Sequence, residues 1–188
     1  MKYLIITDCY PPQNSSGAVQ IYDLAREFVE QGHKINLFIA DDNLKSQIKI
    51  ENQGPLNLIR FKVFKITNIK FIKRLVNEFL MPFQIIIYSI FYRIKISGYD
   101  GIIWYSPSAF FTPLILFLKL FNNCKTYLIL RDIFPRWIKD LEIINKNMAY
   151  SILEFYTELQ FLAANIIGVQ SKGNLKFIKK KIFGKSHK

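Results

Sequence analysis

The stretch Tyr3–Ala40 reads YLIITDCYPPQNSSGAVQIYDLAREFVEQGHKINLFIA, and its periodicity changes twice. Tyr3–Thr7 is a short apolar, β-branched run of the kind that forms a strand buried on both faces of a parallel sheet. Asp8–Ser16 is turn-rich and holds two prolines. From Gly17 onward Val19, Ile21, Tyr22, Leu24, Ala25, Phe28 and Val29 recur at helical spacing. Gly32 is a suitable residue to end that helix, because glycine tolerates the left-handed conformation just past a C-cap. Lys34–Ala40 then returns to a strand pattern. Strand, loop, helix, glycine and strand in this order make a βαβ unit.

Working outward, the same alternation continues. Leu56–Phe61 reads as a third strand after a polar loop that carries no clear signal. Phe71–Ile96 is predicted helical and broken near Pro82. Asp100–Tyr105 is a fourth strand, followed by a helix over Pro107–Phe121 with Pro113 inside it. Lys125–Leu130 is a fifth strand, ending at Arg131-Asp132. A short helix over Pro135–Leu141 and a longer one over Asn145–Ala163 precede a sixth strand, Asn165–Gln170. Ser171–Lys181 is a final basic helix. The expected fold is α/β: a Rossmann-like, doubly wound, mostly parallel sheet with helices on both faces, in a single domain over residues 1–188.

Composition agrees with a folded core, since 51% of the 188 residues are hydrophobic and only 21% charged. The apolar start is short and meets Asp8 without a cleavage site, so no secretory signal is expected. The two cysteines, Cys9 and Cys124, form no metal or redox motif and suit a reducing cytoplasm. Two histidines, His33 and His187, leave no basis for a Ser/His/Asp triad or a metal cluster, and no metal or other cofactor is expected. The most apolar stretches, Phe79–Tyr92 and Phe110–Phe121, are about a dozen residues long where a membrane span needs about 20.

The net charge of +12 is regional. Residues 60–96 hold eight basic side chains and one acid, and residues 172–188 hold seven lysines and none. Regional charge points to a partner surface, although a lysine-rich composition bias is an alternative source.

In a doubly wound sheet, ligands gather beyond the carboxyl ends of the strands. Three loops there carry information. The first, Asp8–Gly17, places a residue without a Cβ at a helix start, where free N–H groups favour an anion. It is neither GxGxxG nor a P-loop. Ser15 and Ser16 fit two roles, phosphate contact or a plain helix N-cap. The others are Leu130–Trp137 and Ile167–Leu175.

Tyr10-Pro11-Pro12, the small-residue loop, the amphipathic helix and Gly32-His33-Lys34-Ile35 resemble the start of the family 4 glycosyltransferases of GT-B fold. Those enzymes usually show a paired glycine where this chain has Ser16-Gly17. Leu130-Arg131-Asp132-Ile133-Phe134-Pro135-Arg136-Trp137, with Asp140-Leu141, resembles bacterial O-antigen and capsule N-acetyl-L-fucosamine transferases. Ile167-Gly168-Val169-Gln170-Ser171-Lys172-Gly173-Asn174-Leu175 resembles the last strand and helix of the same group before its interdomain linker. The matches run in order along nearly the whole chain.

The resemblance implies an N-terminal, acceptor-binding half of a GT-B enzyme. It also implies a second Rossmann-like domain that binds the nucleotide sugar with an Arg/Lys pair and a Glu-x7-Glu motif. No two glutamates here lie eight apart, so that C-terminal domain is expected to be absent and the enzyme truncated, split or inactive alone, with a separate chain as its possible partner. The implied substrates are a nucleotide-sugar donor and a polyprenyl-diphosphate-linked acceptor. Within this chain, the resemblance gives Asp132 the acceptor hydroxyl, to orient or deprotonate. An ion pair with Arg131 or Arg136, or an N-cap, is the alternative. Ser15, Ser16, Gly17, Arg131, Arg136 and Ser171 are the candidate substrate- and phosphate-binding residues; Ser171 fits an N-cap equally, and Arg136 fits a solvated arginine.

The basic, aromatic segment 60–96 fits an anionic membrane surface. Lys70, Lys73 and Arg74, together with Arg60, Lys62 and Lys65, are expected to meet headgroups while Phe61, Phe64, Phe71, Leu75 and Phe79 enter the interface. Residues 182–188 form a basic tail. No nucleic-acid motif is present, so no nucleic-acid partner is expected. The expected location is the inner, cytoplasmic face of the cell membrane. A second reading is a non-catalytic Rossmann-like module that docks to a membrane or a partner protein.

Overall fold

The computed structural model describes residues 1–106, 109–131 and 148–183. In chain order the elements are β1 (Lys2–Thr7), α1 (Ser16–Glu30), β2 (Lys34–Asp41), β3 (Ile48–Gln53), β4 (Leu56–Lys62), α2 (Phe71–Phe91) and β5 (Gly101–Ser106). A 3-10 turn at Ala109–Phe111 then runs into α3 (Thr112–Lys119), followed by β6 (Lys125–Leu130), α4 (Met148–Ala163), β7 (Ile166–Val169) and α5 (Lys172–Phe183). The strands form one sheet in the order β3-β4-β2-β1-β5-β6-β7. Every neighbouring pair is parallel except β3 with β4.

Side-chain alternation divides the core in two. Ile5, Ile35, Leu37, Leu58 and Ile103 face Ala18, Ile21 and Ala25 of α1. Leu4, Ile6, Phe38, Phe61, Trp104 and Leu128 point to the other face, under Met81 and Ile85 of α2 and Leu114, Ile115 and Leu118 of α3. Burial on both faces is why the central strands are continuous apolar runs rather than alternating ones.

The α1 end lies where the sequence places it. Gly32 has φ +81°, and the N–H groups of Gly32 and His33 close onto the carbonyls of Val29 and Phe28. α2 stops earlier than expected, by the same device: Arg93 takes φ +51°, its N–H meets Ile90 O, and the N–H of Ile94 meets Ser89 O. Pro82 does not break α2, because Met81, Pro82 and Ile85 are buried against the molecule and this packing outweighs the missing backbone hydrogen bond. α3 begins at Thr112, after the 3-10 turn and later than expected, with Pro113 in its first turn where its lack of an N–H is harmless. The polar loop before β4 contains β3, an antiparallel edge strand turned back at Gly54, φ +71°. The helix expected over Pro135–Leu141 lies outside the described residues.

Candidate functional site

The chain leaves β1 through a local clamp. The Thr7 hydroxyl accepts from the Cys9 N–H at 3.1 Å and reaches the Cys9 carbonyl at 3.0 Å. Beyond it, Arg60 of β4 holds the Asp8–Ser15 loop from below. It is only 8% exposed, donates to the Pro11 carbonyl at 2.5 Å, pairs with Glu51 at 3.3 Å and Asp41 at 3.5 Å, and lies over the Tyr10 ring. Arg60 is therefore a buried organiser of this loop, which corrects its expected place among headgroup contacts. Counting charge along a sequence does not reveal which arginines point inward.

α1 then starts with Ser15 as its N-cap, the side-chain oxygen accepting from the Ala18 N–H at 3.1 Å. A Cβ added to Gly17 would lie 2.9 Å from both Cys9 Sγ and the Tyr105 hydroxyl. Packing against these two buried side chains explains the glycine without invoking a ligand. Ser16 joins the far side of the site. Arg131, directly after β6, donates through Nη2 to Ser16 Oγ and through Nη1 to the Tyr105 hydroxyl, both at 2.8 Å.

A second loop, between β4 and α2, closes the wall. Asp42 accepts from the backbone N–H groups of Ile66 and Thr67 and from the Thr67 hydroxyl, at 2.7–2.9 Å. Burial pushes the Asp42 carboxyl up, but these hydrogen bonds and Lys65 together hold it below the ordinary aspartate value. The loop so fixed carries Asn68 at φ +55°.

These pieces enclose a cavity of about 390 Å3 beyond the carboxyl ends of β1, β5 and β6. Ser15, Gly17 and Arg131 line it, with Asp8, Gln13, Thr67, Asn68, Arg74 and Tyr105. Asp8 Oδ1 is sealed from solvent without a hydrogen-bond partner among the described residues. Burial first, and then the Glu78 charge, push the Asp8 carboxyl up to about 6. Arg74 meets Glu78 at 2.7 Å. Burial pushes the Cys9 thiol up to about 12, which keeps it a packing group rather than a nucleophile.

Four of the expected site residues thus lie together: Ser15, Ser16, Gly17 and Arg131. Ser171 lies apart, exposed, its hydroxyl accepting from the Asn174 N–H at 3.1 Å in the first turn of α5. Asp132 and Arg136 lie outside the described residues. Arg74, expected at a membrane, lines the cavity, while Lys70 and Lys73 are exposed around the start of α2. Asp8 was not among the sequence candidates, although its position one residue past β1 is a signal the topology rule supplies.

The aromatic part of the membrane expectation also needs correction. Phe61 is fully buried in the sheet core, and Phe71 and Leu75 pack beside Phe110, Leu153 and Tyr156. What α2 does expose is a stripe of Ile72, Val76, Phe79, Phe83, Ile87 and Ile90, spaced by three or four residues along one face. No helix among the described residues is long and apolar enough to cross a membrane. Nor does any group of three His, Cys, Asp or Glu side chains among them come together as a metal site. A larger groove of about 660 Å3 runs between Leu24 and Phe28 of α1 and Tyr127 and Ile129 of β6. It lies on the sheet face, away from the charged groups at the strand ends.

No protein-family model matches the chain, and no curated protein matches it in sequence. Solved structures do match its fold. The α,α-trehalose-phosphate synthase (UDP-forming) from Burkholderia xenovorans superposes with a TM-score of 0.62 at 13% identity, over 98% of this chain and 43% of that one. Sucrose-phosphate synthase from Thermosynechococcus elongatus gives 0.64 at 11% identity, over 96% and 45%. UGT2 from Phytolacca americana gives 0.54 at 10%, over 96% and 49%. The chain spans less than half the length of each, and its fold is a Rossmann-like unit of the kind found in GT-B glycosyltransferases.

Proposed function

We propose that the chain is the acceptor-side half of a glycosyltransferase, which moves a sugar from a nucleotide-sugar donor to a lipid-linked saccharide in bacterial O-antigen or capsule synthesis. The observation that carries this reading is the strand-end cavity, where Arg131 is tied to the first turn of α1. Sugar transfer from a nucleotide sugar needs the leaving diphosphate neutralised and one acceptor hydroxyl held beside the anomeric carbon. The first-turn N–H groups at Ser16 and Gly17 and the Arg131 guanidinium are suited to the phosphate, and Asp132, next in the chain, to the acceptor hydroxyl. Donor binding is assigned to a second Rossmann-like domain, on this or a separate polypeptide.

Reconstitution tests the proposal. The purified chain, mixed with a complementary nucleotide-binding domain, is expected to transfer labelled sugar to a polyprenyl-diphosphate-linked acceptor, and neither part alone should do so. Equal transfer by a lysate of cells carrying the gene cluster but lacking this chain would sink the idea.

The exposed stripe on α2 favours one addition, docking on the inner face of an anionic membrane. Ile72, Val76 and Phe79 would enter the interface with Lys70 and Lys73 at the headgroups. If docking occurs without any transfer, the chain is the non-catalytic module instead.

A further inference from the structure

Tyr105 lies at the carboxyl end of β5, only 1% exposed, and its hydroxyl accepts from Arg131 Nη1 at 2.8 Å. The other arm of the guanidinium fork donates to Ser16 Oγ, also at 2.8 Å. One planar group therefore bridges a buried strand end and the first turn of α1. The strand end is the fixed side of that bridge, since Ser16 is exposed while Tyr105 packs in the core with Cys9 and Ala18. Gly17 keeps the ring end clear: a Cβ there would lie 2.9 Å from the Tyr105 hydroxyl and 3.1 Å from Cε1. A larger residue would press on the very atom that holds Arg131. Burial raises the Tyr105 phenol above its ordinary value even though Arg131 opposes the shift, so a neutral hydroxyl makes this bond at neutral pH.

An arginine on a cavity wall is a poor anion ligand until its long side chain is fixed, because the rotamer freedom lost on binding opposes the gain. A charge held in place before the ligand arrives avoids that cost and the reorganisation that goes with it. The Tyr105 hydroxyl, carried on a ring packed in the core, supplies such a hold to a guanidinium on the lining of the strand-end cavity. We propose that Tyr105 is a positioning residue, which acts through Arg131 and presets its guanidinium for the leaving diphosphate. This role rests on the glycosyltransferase reading and adds a residue to its machinery. The alternative is a bond that only satisfies a buried phenol, in which case its loss affects folding and not the anion.

Calorimetric titration of the full chain with inorganic pyrophosphate tests it in a double-mutant cycle. Tyr105→Phe keeps the ring and removes only the hydroxyl. It should weaken pyrophosphate about three- to ten-fold although the arginine is still present, and Arg131→Gln should weaken it about ten-fold or more. Combining the two should cost no more than Arg131→Gln alone, because a residue acting through Arg131 has nothing left to position. Near-UV circular dichroism confirms that each variant is folded. Side-chain nitrogen relaxation of Arg131 gives a readout that needs no ligand: its order should fall in Tyr105→Phe. Unchanged binding by folded Tyr105→Phe overturns the proposal, as do losses that add in the double variant or an Arg131 side chain equally ordered without the hydroxyl. A folded wild-type chain that binds no pyrophosphate, or binds it equally after Arg131→Gln, overturns it too. In the reconstituted enzyme, transfer with a kcat unaffected by Tyr105→Phe overturns the Tyr105 role and leaves the glycosyltransferase reading standing. A non-additive cycle on pyrophosphate, with no transfer by the reconstituted enzyme, does the reverse.

Discussion

At Gly17 one methyl group would meet two side chains that have nowhere to go. Cys9 and Tyr105 are both buried, and Tyr105 is also held by Arg131. Gly17→Ala is therefore expected to cost about 1–3 kcal/mol, read as a fall in the denaturant midpoint. Gly168→Ala is the control. There the obstructing group is the ring end of the half-exposed Tyr127, which can swing outward, so the loss should stay below about 1 kcal/mol. Asp8 makes a prediction of opposite sign. Its carboxyl is raised to about 6 in the folded protein from an ordinary 3.8, so the folded state binds the proton more tightly than the unfolded one. Stability should increase as pH falls from above 6 toward 4, and be lowest at higher pH. The shift corresponds to roughly 3 kcal/mol at most, and Asp8→Asn should recover about 1–2 kcal/mol of it at pH 8 while flattening that pH slope. A thermal melt series from pH 4 to 8 checks both. That the serines, the glycine and Arg131 share the strand ends was legible because each follows a strand that periodicity reveals. The meeting of Asp8 and Arg74 was not legible, because it comes from α2 folding back over the end of β1.

Elements were easiest to read where local chemistry and packing agree. α1 shows an apolar face, a serine cap and a glycine stop; the cap and the stop sit as the sequence indicates, while Ile21 and Ala25 of the apolar set are buried and Val19 and Tyr22 are exposed. α2 was harder on two counts. A proline normally ends a helix, yet burial carries the backbone past Pro82; and Arg93, with no sequence mark of a terminator, takes the conformation glycine favours. Arg93→Gly should relieve that strain and stabilise the protein by about 1 kcal/mol, measurable by urea denaturation. β3 escaped notice because an exposed edge strand, Ile48–Gln53, has little apolar alternation to show. The outer face of α2 sets a further expectation. The chain should co-sediment with anionic vesicles, less so at high salt or after charge reversal of Lys70 and Lys73, and little with neutral vesicles. Equal binding to neutral vesicles would count against the docking surface.

For the molecule as a whole, the doubly wound topology was legible because its central strands are buried on both sides and separated by helices of ordinary length. The cavity is a product of that topology: β1 ends beside β5, and β5 beside β6, so the loops after them converge. The charge map was less readable. Of the basic segment 60–96, only Arg60 is buried, under the loop; Arg74 and Lys65 are exposed but lie along the cavity and against Asp42 and Asn43, and the rest stay outside. A lysine or arginine has the same sequence signature in all these places. Removing the buried arginine should therefore do more than removing an exposed lysine. Arg60→Ala strands Asp41, leaves Glu51 with Lys49 alone and frees the Pro11 carbonyl, with an expected loss of about 2–4 kcal/mol; Lys62→Ala should change stability by less than about 0.5 kcal/mol. Chemical denaturation separates the two.

The bridge from Arg131 to Ser16 joins residues 115 positions apart. A ribosome that has made only the first hundred residues has already released the capping serine, the tight glycine and Asp8, yet the strand that delivers the guanidinium does not exist. The strand-end cavity is thus completed late in the life of the nascent chain. It arrives in one step, when β6 docks beside β5.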